Sequence, residues 1–114
     1  MKYKILIIED NEDINDILVK TLFNAGYDVE SAYTGYEGLE KIKNNSYDLL
    51  LLDIMLPYKS GDEVLRELRT FSNCPVIVIS AKNLVSVKIE LLKLGADDYV
   101  TKPFDLDEVL ARVE

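Results

Sequence analysis

Three short runs of branched apolar residues, at 5–8, 49–52 and 76–79, end abruptly on polar side chains: Glu9-Asp10, Asp53 and Ser80. Runs this short read as strands buried on both faces, the pattern of a parallel sheet covered by helices. Ligands of such sheets bind outside the carboxyl ends of the strands. If the three runs are neighbours, Glu9, Asp10, Asp53 and Ser80 gather at one sheet edge, and chemistry is expected there.

Further strand-like runs at 28–32 and 99–101 join 4–8, 49–52 and 76–79 in alternation with helical patterns, a (βα)5 rhythm. The first helix is expected over about 11–24, with Ile14, Ile17, Leu18, Thr21 and Leu22 on one stripe and Gly26 ending it. Thr34 with Glu37, Ser60 with Glu63 and Asp105 with Glu108 stand at capping-box spacing and open the second, third and fifth helices. Val64, Leu65 and Leu68 of the third and Leu106, Val109 and Leu110 of the fifth face inward; the fourth covers about 84–94 and stops at Gly95. Right-handed crossovers then give a three-layer α/β/α doubly wound parallel sheet, an order of strands that periodicity alone does not fix.

A chain of 114 residues forms one domain, residues 1–114. That length buries roughly two thirds of the surface its unfolded form exposes. The net charge of −8 argues against this chain itself gripping nucleic acid or an anionic membrane. The lone Cys74, expected as a small buried residue, and the lack of a signal peptide or bilayer-length apolar run favour a soluble protein of the reducing cytoplasm. The chain has no histidine, which removes imidazole catalysis and His-containing zinc sites. Carboxylates, hydroxyls and lysines remain, groups suited to magnesium and phosphate chemistry.

Three carboxylates about 5 Å apart at an effective dielectric near 20 repel by about 3 kcal/mol per pair, comparable in sum with the stability of a small domain. Either one carboxyl holds a proton or a divalent cation sits among them, and oxygen ligands favour magnesium. Asp10 alone also fits a solvated helix cap. Asp53 fits that role less well, because Ile54-Met55-Leu56-Pro57 return at once to apolar residues. Lys102, at the end of the fifth strand, can set a point charge beside the acids, although a lone lysine is ordinarily solvated; a cis Lys102–Pro103 bond would fix its approach.

Glu9-Asp10, Asp53 after a leucine strand, Ile79-Ser80-Ala81-Lys82 and Gly95-Ala96-Asp97-Asp98-Tyr99-Val100-Thr101-Lys102-Pro103-Phe104 together resemble the receiver domain of bacterial two-component response regulators. The resemblance spans essentially the whole chain. It implies strand order 2-1-3-4-5 and phosphorylation of Asp53 by the phosphohistidine of a sensor histidine kinase, an in-line transfer catalysed in cis rather than enzyme turnover. It further implies Mg2+ held by Asp10, Asp53 and the Met55 backbone carbonyl, with Glu9 acting through water. Lys102 contacts a phosphoryl oxygen, Ser80 hydrogen-bonds the phosphoryl group, and Tyr99 turns inward as Ser80 moves.

The surroundings of Tyr99 resemble the dimer face of regulators with a winged-helix DNA-binding output. There Lys88 pairs with Glu108 and Asp98 with Arg112 across a twofold axis, around Ile89, Leu92 and Ala111, with Asp97 alongside. An effector domain, and DNA contact through it alone, is then expected beyond Glu114, which falls inside the last helix.

The chain departs from the family at Pro57-Tyr58-Lys59-Ser60-Gly61, where proline, glycine, any residue, aspartate, glycine is usual. It departs again at Val87 and Leu91, apolar where aspartate and glycine are common, which leaves the fourth helix greasier and offers extra apolar surface for a dimer or another partner. Lys82 either tunes the phosphoryl group's lifetime or is solvated. Two other readings stand beside the switch: a flavin-binding electron carrier, disfavoured by the acids after the first strand, and a phosphorylation-independent receiver acting as an interaction module.

Overall fold

The computed structural model describes residues 3–80, 85–102 and 111–113, of which 85–88 and 101 are described by backbone alone. Strands β1 (Lys4–Ile8), β2 (Asp28–Ala32), β3 (Leu49–Asp53), β4 (Val76–Ser80) and β5 (Asp98–Thr101) alternate with helices α1 (Glu12–Asn24), α2 (Gly35–Asn44), α3 (Gly61–Leu68) and α4 (Val85–Lys93). All strands are parallel, in the order β2-β1-β3-β4-β5. The expected three-layer sheet and its order are both present. Residues 111–113 are helical, whereas the predicted start of the last helix, with Asp105, Leu106, Glu108, Val109 and Leu110, lies outside the described residues, as does Lys82.

Side chains alternate across the sheet, so each strand feeds two cores. Leu6, Ile8, Leu50, Leu52, Val76 and Val78 pack beneath Leu39 and Ile42 of α2, Val64, Leu65 and Leu68 of α3 and Leu91 of α4. On the other face Ile5, Ile7, Leu51, Ile77, Ile79 and Val100 meet Leu18 and Leu22 of α1, with Val113 at the edge. Coverage on both sides explains why the strands read as continuous apolar runs.

Three local expectations change. In α1, Ile17 is exposed and Asn15 is buried, so the inward stripe is Asn15, Leu18 and Leu22, with the expected Ile14 partly buried at its edge. The Thr34 hydroxyl caps the Glu37 N–H at 3.1 Å, but the Glu37 carboxylate reaches the N–H of Tyr33, not that of Thr34. Ser60 is the N-cap of α3 without capping it: its hydroxyl turns to the Glu63 carboxylate at 3.3 Å, so the predicted box does not close. Gly26 and Gly95 follow α1 and α4 at φ of 102° and 114°.

Two readings of single residues are also corrected. Cys74 is half-buried, with Sγ 3.5 Å from the Tyr47 carbonyl oxygen, and its partial burial pushes the thiol pKa up. Leu91 is buried beneath α4, so it belongs to the core and adds no surface for a partner. The Val87 side chain lies outside the description.

Candidate functional site

The sheet order sets the site. With β1 and β3 paired through Ile8 and Leu52, the residues just beyond them come together at the carboxyl edge. Backbone bonds carry the sheet past the strand ends: Glu9 N–H donates to Ala32 at 3.1 Å, Ile54 N–H to Ile79 at 3.3 Å and Lys102 N–H to Ser80 at 2.7 Å. Glu9, Asp53 and Lys102 therefore stand on, or next to, backbone held by the sheet, so little ordering is left to be done at the moment of reaction.

Glu9 and Asp53 are nearly inaccessible, at 2% and 4% exposure, while Asp10 is exposed; carboxylate oxygens of the three lie within 4.8 Å of one another. Lys102 Nζ donates to Glu9 Oε1 at 2.7 Å and to Asp53 Oδ2 at 3.3 Å. The other Glu9 oxygen accepts the Asn11 N–H at 3.3 Å, and Asp53 Oδ1 accepts the Met55 N–H at 3.1 Å. Burial, reinforced by a hydrogen bond with Asp53, raises the Glu9 pKa from 4.5 to about 7 despite the neighbouring ammonium. Burial works against the charged form of Lys102, but its bonds to Glu9 and the Asp53 charge outweigh this and raise its pKa. The Lys102 ammonium thus offsets part of the crowding among the acids, and the raised pKa of Glu9 favours its protonated form.

The donor set suits a hard divalent cation. It offers three carboxylates and no nitrogen or sulfur, with Asp10 on the open side where a cation that retains water ligands could enter. Met55 is exposed and, with Asp10, Ile54, Ser60 and Asp62, lines a shallow cavity of about 400 Å3 beside the acids. Magnesium there would neutralise the acids and draw charge from a transferring phosphoryl group.

Ser80 is fully buried at the end of β4, and Tyr99 is half-buried on β5 against the core shared with α3 and α4. On the surface beyond, Ile89 and Leu92 are about half exposed and Ala111 is exposed. Arg112 Nη1 donates to both oxygens of Asp98, at 3.1 and 2.9 Å, within one chain. Asp97 serves the fold: its carboxylate accepts the Val76 N–H at 2.8 Å and meets Arg69 at 3.3 Å. The Lys88 side chain and Glu108 lie outside the description.

Departures in the loop after Asp53 have a backbone origin. Tyr58, at the usual glycine position, is 90% exposed and takes φ 65°, and Lys59 N–H bonds back to the Pro57 carbonyl at 2.7 Å, a γ-turn of the strained positive-φ kind. Gly61 keeps the family residue for a packing reason: a Cβ there would collide with the Asp53 carbonyl oxygen and with Ile54. Two structurally important residues escaped the sequence reading. One is Asn15, whose signal was a polar residue on the apolar stripe of a helix; the other is Arg69, whose guanidinium ties the carbonyls of Ser72, Cys74 and Gly95 together.

A five-stranded 2-1-3-4-5 parallel sheet with an acid triad and a lysine at its carboxyl edge defines a receiver-type fold with an acidic edge site. The sequence model of the response regulator receiver domain matches residues 5–114, and the chain belongs to that family of two-component signalling proteins. It is 46% identical over 110 residues to the response regulator ArlR of Staphylococcus saprophyticus, covering 96% of this chain and 50% of that protein. ArlR of Staphylococcus aureus (strain Mu50) is 42% identical over the same extent. The chain thus spans about half the length of these curated relatives. Among solved structures, the receiver domain of the Francisella response regulator 1452 superposes with a TM-score of 0.95 at 40% identity, over 98% of this chain and 93% of that one. A two-component response regulator from Clostridium difficile gives a TM-score of 0.95 at 32% identity over the same shares. The family assignment sets the flavin-carrier reading aside. No helix among the described residues is long and apolar enough to cross a membrane.

Proposed function

We propose that this chain is a phosphorylation-activated switch of the cytoplasm, in which Asp53 accepts a phosphoryl group from the phosphohistidine of a sensor histidine kinase. The observation that carries the reading is a nearly inaccessible Asp53 within 4.8 Å of two further carboxylates and 3.3 Å from the Lys102 ammonium. Asp53 attacks phosphorus in line, its carboxylate oxygen forming the O–P bond as the P–N bond to the kinase's imidazole breaks and that imidazole leaves. Asp10, Asp53 and the Met55 carbonyl, with Glu9 through water, would hold Mg2+, which would supply charge compensation. Lys102 moves from Glu9 to a phosphoryl oxygen, and Ser80 hydrogen-bonds another. The domain catalyses these steps in cis and is not a turnover enzyme.

Tyr99 follows Ser80 inward, and the face of α4, β5 and the last helix becomes a symmetric dimer contact. In the full-length protein this brings two DNA-binding output domains together. The half-length match to ArlR and the exposed Ile89 and Leu92 support that part. A solved relative of 32% identity is a receiver domain described as BeF3 activated, which supports the use of that phosphoryl mimic here.

Incubation with acetyl phosphate and Mg2+ is expected to add one phosphoryl group to the chain, seen by intact mass. Asp53→Asn is expected to abolish the addition, and full labelling of that variant would refute the assignment. Addition of Mg2+ and beryllofluoride is expected to shift the monomer–dimer balance. Labelling without any such shift would favour a receiver that works through a different partner.

A further inference from the structure

Asn15 is a fully buried amide on the inner face of α1. Its Nδ2 donates to the Glu9 carbonyl at 3.0 Å and to the Ala32 carbonyl at 3.4 Å, and its Oδ1 accepts the Ser31 hydroxyl proton. Two carbonyl neighbours fix which end of the amide is NH2, and both of its protons are used.

These contacts fall where the β1–β2 ladder runs out. The bond from Glu9 N–H to Ala32 is the last rung: the register in which Asp28 N–H donates to Tyr3 would next bring Thr34 N–H to the Glu9 carbonyl, and that bond is absent among the described residues. The Glu9 carbonyl is thereby left without a strand donor, and Asn15 stands in for one. What the amide holds is the peptide unit joining Glu9 to Asp10. Both acidic side chains spring from the ends of that unit, so a tilt of its plane moves the two carboxylates relative to Asp53.

We propose that Asn15 is a positioning residue of the cation site: by fixing the Glu9–Asp10 peptide it sets the spacing of those carboxylates against Asp53, and with it the affinity for Mg2+. This rests on the reading of Glu9, Asp10 and Asp53 as the cation site. Ser31 supports the amide from behind, and the Lys41 ammonium in turn holds the Ser31 carbonyl at 2.6 Å, so the anchor has its own support.

The test is calorimetric titration of the 114-residue chain with MgCl2, without phosphodonor. Asn15→Ala is expected to weaken binding about tenfold, the lower end of what loss of an outer partner of a metal ligand does. Leu22→Ala, a large-to-small change in the same helix that faces the core, lowers stability and is expected to leave the Mg2+ dissociation constant within about twofold of the parent value. Ser31→Ala keeps the Nδ2 donors but frees the amide to turn, and is expected to fall between. Binding by Asn15→Ala within twofold of the parent overturns the proposal. Should Asn15→Ala fail to fold, Ser31→Ala carries the test, and an unchanged constant there overturns it equally. A parent chain that binds no Mg2+ overturns the cation-site reading itself, a different outcome from a parent that binds and an Asn15→Ala variant that binds as well.

Discussion

Lys102 Nζ lies 2.7 Å from Glu9 Oε1, nearer than its 3.3 Å to Asp53, so the lysine chiefly serves the buried Glu9 and leaves Asp53, the proposed phosphoacceptor, partly uncompensated. Under the proposed function the same ammonium competes with Mg2+ and aids phosphoryl transfer. Lys102→Ala should move the two properties in opposite directions. Mg2+ binding tightens severalfold, because a cation is removed from among its ligands. Labelling by acetyl phosphate slows by about 10²-fold, because a donor aimed at the developing charge is lost. Lys102→Arg should not restore the rate, since a planar fork does not replace a point charge in this space. Magnesium calorimetry and intact-mass kinetics read both effects, and parallel losses in the two would contradict this account.

Glu9 gives the metal-free protein a pH dependence of definite sign. Its pKa is raised from 4.5 to about 7 in the fold, so the stability its proton contributes is complete below pH 4.5 and is lost as pH rises towards 7. The shift corresponds to about 3 kcal/mol. Glu30 and Glu67 have lowered values and work the other way, so the quantity to measure is a difference. Relative to Glu9→Gln, the parent chain in EDTA should lose melting temperature between pH 4.5 and 7; saturating Mg2+ should remove or reverse that loss. Parallel curves in EDTA would show that Glu9 is not the group responsible.

The strands and the acid edge were legible because parallel strands leave a plain record: continuous apolar residues where both faces are covered, then an abrupt acid where the cover ends. Asp53 after Leu49–Leu52 is that record. Asn15 was overlooked because its role depends on where the β1–β2 ladder stops, a fact about two strands that helix periodicity does not carry. Ser60 and Glu63 have the capping spacing, yet the hydroxyl donates to the carboxylate and does not accept the backbone N–H, and spacing cannot decide between those two bonds. Arg69 looked like any arginine near a helix end. Ser72 and Cys74 follow it closely in the chain, but Gly95 and Asp97 lie on the loop before β5 and are brought to it only by the pairing of β4 with β5.

Tyr58 holds a left-handed φ of 65° with its ring almost wholly in solvent, so its side chain returns little for the conformation it occupies. Tyr58→Gly should remove about 1 kcal/mol of strain after allowing for glycine's greater freedom in the unfolded chain. For a domain of this size that is a rise of about 4–8 °C in melting temperature. Mg2+ affinity should not change, because the Asp53–Met55 contact is set by the strand end rather than by the turn. A fall in melting temperature would mean that the ring makes contacts that outweigh the strain.

Asp98 and Arg112 pair within one chain, whereas the proposed dimer uses the same two residues across a twofold axis. The intrachain pair must open before the symmetric contact forms, and an exchange of partners makes a distinct prediction. Asp98→Arg alone and Arg112→Asp alone each place like charges opposite one another in a homodimer. With Mg2+ and beryllofluoride, each variant by itself should dimerise at least about tenfold more weakly than the parent, since opposed like charges at an interface are costly. In an equal mixture the altered charges meet opposite signs only between unlike chains, so dimers should reappear, and they should be heterodimers. Sedimentation velocity with one chain fluorescently labelled resolves the two species. A mixture that stays as monomeric as its components would mean that Asp98 and Arg112 keep each other within the chain and that activation builds its contact elsewhere.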